Sequence, residues 1–267
     1  MQSGRNWTMN DIDPRYHTLN DLHEAGRFDD ALALSRDLFA EAEAEPRPER
    51  YRYFMPMFQL QLLLDVHAPT RAVLAALRDE QAARLLDGDA FCGSGGPPAA
   101  DEYQRASRFS LLLQMNTLLG EMHATHALFR ALEARLPELA RQYAHQALPA
   151  MVDAGDFALA DRYRGDPLSG LANVNHGARE LPLFPPPREA PRLAADLSNL
   201  VKDVRIGIAV LRGLGDPAAA DALRAALLDG LESDELREMA ARELAEPGTI
   251  TREGVARQMA EEERQGL

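Results

Sequence analysis

The sequence predicts an all-α protein, an irregular α-solenoid of stacked antiparallel helix pairs, and three observations carry that expectation. Ala and Leu dominate an apolar fraction of 46% in which aromatic residues reach only 6% of the chain. Both are strong helix formers, and the strand-favouring Val, Ile and Thr are scarce. Residues 16–44 then read as an apolar-periodic helix, a Gly-x-Phe turn and a second such helix. Finally, Ala25-Gly26-Arg27-Phe28-Asp29-Asp30-Ala31 has a near copy in Ala154-Gly155-Asp156-Phe157-Ala158-Leu159-Ala160. Glycine takes the left-handed conformation that closes the first helix. The aromatic ring fills the wedge between the helices, and the alanine sits where their backbones come closest. A pair this small cannot bury its own apolar face and must stack on others.

Taken in order, residues 1–10 form a loose lead-in and 11–164 the helical pairs. Pro46 and Pro48 break the pattern after the first pair. YRYFMPMFQLQLLLDV forms a third helix, in which Pro56 marks a kink or the first turn, and Pro69 starts the fourth, with Ala72 as its small residue. Residues 87–100, rich in Gly and ending in Pro97-Pro98, read as a flexible loop holding Cys92. A long helix is expected from about Asp101 to Gly120, followed by its partner with Ala127 as the small residue. A helix kinked at Pro149 leads into the second Gly-x-Phe turn. Gly165-Asp166-Pro167 stops the next helix, and 165–191 reads as an irregular, proline-rich connection and subdomain boundary. Helices resume in 192–267: Gly215-Asp216-Pro217 joins two of them, Ser233 caps a third, and a highly charged helix closes the chain.

The turns resemble those of tetratricopeptide repeats, with Gly26/Phe28/Ala31 and Gly155/Phe157/Ala160 matching the Gly, aromatic and Ala positions, and Ala72 and Ala127 as degenerate versions. The run LGDPAAADALRAALLDG followed by SDELREMAARELAE resembles a HEAT-type unit. The first resemblance implies a groove lined by the first helix of each pair. It places an amide eleven residues before the turn alanine: Asn20, Gln61 and Asn116, with Pro149 interrupting the series. Tyr16 and His23 flank Asn20 at helical spacing, so Tyr16, Asn20, His23, Gln61 and Asn116 form the candidate partner-binding set. Amides both donate and accept hydrogen bonds, which suits capture of a peptide backbone or terminal carboxylate.

The charge balance narrows the partners. With 42 acids against 29 bases the net charge is −13, which repels nucleic-acid phosphates. Lys202 is the single lysine, and the arginines form no dense cluster. One cysteine excludes an internal disulfide, and the sequence shows neither a signal peptide nor an apolar run of membrane-spanning length. A cytoplasmic location is the expectation.

No catalytic motif emerges. His123 and His126 lie three apart on a helix but lack the further ligands of a metal site. Cys92 has no adjacent base, and Gly93-Ser94-Gly95-Gly96 has neither the strand nor the Gly-Lys of a phosphate loop. The densest polar cluster in the irregular segment is Asn173, Asn175, His176, Arg179 and Glu180, a second candidate site because loops carry function. Phe184 with Pro185-Pro186-Pro187 reads as a stiff spacer or strap across the helices. The leading expectation is a non-catalytic scaffold binding a peptide or protein on a concave helical face, without a cofactor. The alternatives are an enzyme using His123, His126 and His176, or a regulatory or toxin-neutralising helical-repeat protein.

Overall fold

The computed structural model describes residues 13–96, 105–187 and 189–265; the expected lead-in at 1–10 lies outside them. The described residues form thirteen α-helices and no strand, with isolated antiparallel bridges only at Glu49–Arg105 and Phe91–Ser107. Two compact units result, Met1–Tyr143 and Ala144–Leu267. The division falls inside the helix Pro137–Asp153 and not in the 165–191 segment.

Unit 1 contains α1 (Arg15–Glu24), α2 (Phe28–Ala44), α3 (Tyr51–Leu64), α4 (Pro69–Leu86), α5 (Arg108–Leu119), α6 (Met122–Arg135) and the start of α7 (Pro137–Asp153). From α1 to α6 each helix packs on its chain neighbour, and α1 also touches α3 as α4 touches α6. Asp13 pairs with Arg52 at one end of α1 and α3, and His23 meets Gln59 near the other, so these two helices run side by side in the same direction. Arg71 at the start of α4 reaches the Leu119 carbonyl at the end of α5, whereas Gln81 near the end of α4 accepts from Arg108 at the start of α5. The two are antiparallel, so α5 points the same way as α3. The core between them gathers Phe39, Tyr53, Met57, Leu60, Leu74 and Met115.

One turn recurs. After α1, α5, α7 and α10 (Arg192–Gly213) a glycine with φ between 69° and 86° is followed by a single residue and then the next helix: Gly26, Gly120, Gly155 and Gly215. In each, the amide after the glycine donates back to a carbonyl five residues earlier: Arg27 to Leu22, Glu121 to Asn116, Asp156 to Met151 and Asp216 to Leu211, at 2.8–2.9 Å. That bond satisfies a helix-end carbonyl, and only glycine enters this conformation without steric cost. Five residues after each glycine stands a small buried side chain, Ala31, Thr125, Ala160 or Ala220. The packing expectation for Ala31 and Ala160 therefore holds. Ala72 and Ala127 are exposed, and the closely packed residue of the α5–α6 turn is Thr125.

Three other sequence expectations are corrected. Helix α5 begins at Arg108, because Arg105–Ser107 is extended and Ser107 caps the helix by accepting from the Ser110 amide at 3.1 Å; the expected start at 101–104 lies outside the described residues. The 165–191 segment is not structureless, since it contains α9 (Leu171–Gly177). Pro56 lies inside α3 beyond its first turn, which removes one of its two readings, whereas Pro149 lies inside α7 as a kinking proline does.

Unit 2 holds the rest of α7, α8 (Phe157–Tyr163), α9, α10, α11 (Pro217–Gly230), α12 (Asp234–Ala245) and α13 (Thr249–Gln265). Helix α10 is its hub and packs against α8, α9, α11, α12 and α13. Leu197, Val201 and Val204 are fully buried there, and Leu227, Leu236 and Ala240 close over them. Close approach needs absent side chains: a Cβ on Gly213 would lie 2.2 Å from the Phe157 ring, and one on Gly207 within 3 Å of Pro167 and Leu223. The aromatic of the second Gly-x-Phe turn thus seats α8 on the end of α10.

Candidate functional site

Helix α3 buries one side in unit 1 and leaves an aromatic row on the other. Tyr51, Phe54 and Phe58 are 37%, 61% and 40% exposed. Gln61 and Asp65 continue the same row, also exposed, at alternating spacings of three and four residues. That period keeps the side chains on one stripe of a helix. Phe54 and Phe58 stack with ring centroids 6.1 Å apart and planes within 8°. Exposed large apolar side chains that form a contiguous row, and not isolated points, mark interaction surfaces.

The structure separates the five predicted partner-binding residues. Asn20 and Gln61 stand exposed on α1 and α3. Tyr16 is buried with Leu19 and Leu38 in a small core and drops out of a solvent-facing stripe. Asn116 is also buried: it donates to the Thr125 hydroxyl at 3.0 Å and accepts from Arg78 at 2.9 Å, tying α5 to α6 and α4. His23 is half-buried against Gln59 at 3.2 Å, and its ring centroid lies 5.6 Å from Phe28. The His67 ring centroid lies 6.1 Å from that of Phe28, so the turn aromatic neighbours two imidazoles.

Behind the same helices lies a network that no local motif announced. Arg108 is fully buried and uses all five N–H donors. Nε donates to the Asp89 carbonyl at 2.9 Å, and Nη2 to the Asp89 carboxylate at 2.9 Å and the Phe91 carbonyl at 2.7 Å. Nη1 reaches Glu43 at 3.0 Å and also Gln81. Arg84 pairs with both Glu43 and Asp89, and the Tyr53 hydroxyl donates to Glu43 at 2.7 Å. Arg105 fastens the next turn, donating to the carbonyls of Cys92 and Gly95 at 2.8 Å each, and to that of Gly96. Residues 89–96 are therefore pinned onto α2, α4 and α5, which overturns the flexible-loop expectation there; 97–100 lie outside the described residues. The saturated guanidinium of Arg108 makes it an internal tie, with no donor left over to hold a ligand.

Cys92 is wholly buried at this tie, and burial with Glu43 nearby pushes its thiol up to about 12. A thiol held protonated at neutral pH is a packing residue, not a nucleophile.

The second candidate cluster is also structural in part. Asn175 is buried, donating to the Gly230 carbonyl at 2.8 Å and accepting from the Glu232 amide at 3.1 Å, and so stitches α9 to the α11–α12 connection. Arg179 grips Glu232 with two hydrogen bonds, and His176 lies 4.0 Å from Glu180. Asn173 is exposed. Among the described residues no three His, Cys, Asp or Glu side chains converge in a way that would hold a metal ion. His123 and His126 belong to unit 1 and His176 to unit 2. No described helix is long and apolar enough to cross a membrane.

Comparison with known proteins returns no match: no family model, no curated protein and no solved structure aligns with this chain.

Proposed function

We propose that this is a non-catalytic interaction protein of the helical-repeat kind, irregularly tetratricopeptide-like in unit 1, which holds a peptide or protein partner on the face of its parallel first helices. The observation that carries the reading is the exposed row Tyr51, Phe54, Phe58 and Gln61 on α3. Aromatic side chains anchor interfaces because they bury a large area at small conformational cost. Asn20 on the neighbouring α1 and Gln61 offer amides beside that row, and the net charge of −13 favours a polypeptide over a nucleic acid. Support for the repeat assignment comes from the parallel course of α1, α3 and α5 and from the turn repeated at Gly26 and Gly120.

The test is cross-linking and mass spectrometry of the partner recovered by the wild-type chain, repeated with Phe54→Ser plus Phe58→Ser and with Asn20→Ala plus Gln61→Ala. The serine pair should lose at least ten-fold in recovery while keeping helix content and melting temperature, because both rings face solvent. The alanine pair should lose less. Equal recovery by all three chains removes α3 from the function.

A further inference from the structure

We propose that unit 2 carries a second, independent site: a groove for a linear aliphatic carboxylate between the Phe184–Pro187 strap, the first half of α10 and α13. The groove has a volume of about 340 Å³ and opens beside a second hollow of about 520 Å³ that shares Phe184, Pro185, Arg257 and Gln258 with it. Its walls are mainly apolar, from Pro185, Pro191, Ala194, Ile250 and Val255, with neutral hydrogen-bonding groups at Ser198, Asn199, Thr251 and Gln258. Sites of this size bind by apolar enclosure, and a few placed polar groups set orientation.

Among the described residues lining this groove, the one charged side chain is Arg257. Its guanidinium lies over the Phe184 ring, 4.6 Å from the centroid, so the cation is held at the junction of the two hollows by an aromatic face. The neighbouring cation Arg264 is neutralised by Glu261 at 2.6 Å. The start of α13 is neutralised as well: the buried carboxylate of Glu243 accepts from the amides of Gly248 at 2.7 Å and Ile250 at 2.8 Å. The counter-charge for a ligand is thus a single planar fork, which matches one carboxylate in geometry and in charge.

The surrounding molecule carries thirteen excess negative charges. An anion therefore gains nothing from the overall field, and its preference rests on Arg257. From a carboxylate on Arg257 each hollow offers roughly 10 Å along α13 at the helical rise, towards Ile250 in one direction and Arg264 in the other, which is room for an extended methylene chain of medium length.

Calorimetric titration of the full chain with decanoate, decanol and decyltrimethylammonium, each below its micelle concentration, tests the site. Decanoate should bind saturably at one equivalent, at least ten-fold tighter than decanol, with the ammonium weakest. Arg257→Gln should remove that preference while leaving decanol binding unchanged. Ala195→Trp, made from an exposed groove position, should remove all binding. Val255→Trp repeats the blockade from the α13 side, with melting temperature as the check on folding. Absence of saturable decanoate binding overturns the proposal, as does an equal or higher affinity for the ammonium. So does decanoate binding that survives both tryptophan variants.

Discussion

In unit 1 the helices pack chiefly on their chain neighbours and a buried arginine joins distant segments, whereas in unit 2 five helices gather on α10 around an apolar centre. The difference shows two ways of giving a helical chain its long-range contacts. A row of neighbouring pairs has mostly local ones, so something must bridge α2, α4 and α5. Arg108 does this with Glu43, Gln81 and Asp89, which stand 65, 27 and 19 positions before it in sequence. A hub needs no such tie, because Leu197, Val201 and Val204 already touch segments far along the chain. The row also leaves one side of its first helices uncovered, which is where the aromatic stripe lies. The hub leaves clefts between its spokes.

The sharpest way to break this contrast is to remove the tie. Arg108→Met leaves Glu43 and Asp89 partly buried with Arg84 as their remaining partner, and should cost about 3–5 kcal/mol. Hydrogen exchange should register the loss in α2, α4 and α5; unaltered protection there would make the network ornamental. Next in size, Leu197→Ala hollows out the hub and should cost about 2–5 kcal/mol. Its signature is lost amide protection in α10, α11 and α12 together, and loss in α10 alone would show that the spokes stand without it.

The effect with the least weight at neutral pH is on alkaline stability. Burial raises Cys92, Tyr53 and Tyr143, all in unit 1, above their ordinary values. The folded state then holds these protons more tightly than the unfolded chain, whose thiol titrates near about 8.5 and phenols near about 10. The stabilisation is complete below about pH 8.5 and is lost as pH rises towards 12, by at most about 1.4 kcal/mol per unit for each group. Cys92→Ala should delay the onset of alkaline unfolding by about one pH unit, to where the tyrosines take over. An onset unmoved by that change would assign the loss elsewhere.

Much of the fold was legible because helices advertise themselves locally. Gly26/Phe28/Ala31 and Gly155/Phe157/Ala160 located two turns, and both alanines are buried as the packing argument requires. Gly120 and Gly215 are less legible members of the set, because the residue two positions on is Met122 or Pro217 and not an aromatic. The geometry asks only for a left-handed residue and a small one five positions later, which Thr125 and Ala220 satisfy. Counting alanines without that glycine led to Ala72 and Ala127, which face solvent. The network was illegible for a different reason. Its members meet only after folding, and a charged residue in a helix ordinarily lies outside. One clue was present: Arg108 begins the buried stripe that continues through Leu111, Leu112, Met115 and Leu119, a position where a charge demands partners. The amides Asn20 and Gln61 were legible, but the exposed row Tyr51, Phe54 and Phe58 was not, because it interleaves in YRYFMPMF with the buried Tyr53 and Met57.

The shared direction of α1, α3 and α5 carries a consequence for approach as well as for contact. The macrodipoles of α1, α3 and α5 point one way, and the antiparallel helices packed beside them point back and offset that field, so side chains set the difference between the two edges. Asp21, Glu24 and Asp65 stand exposed at the last turns of α1 and α3, on the same edge. Under the proposed function, a peptide with lysine or arginine at one end would meet these three carboxylates at that end of α3, which would favour one orientation along the aromatic row over the other.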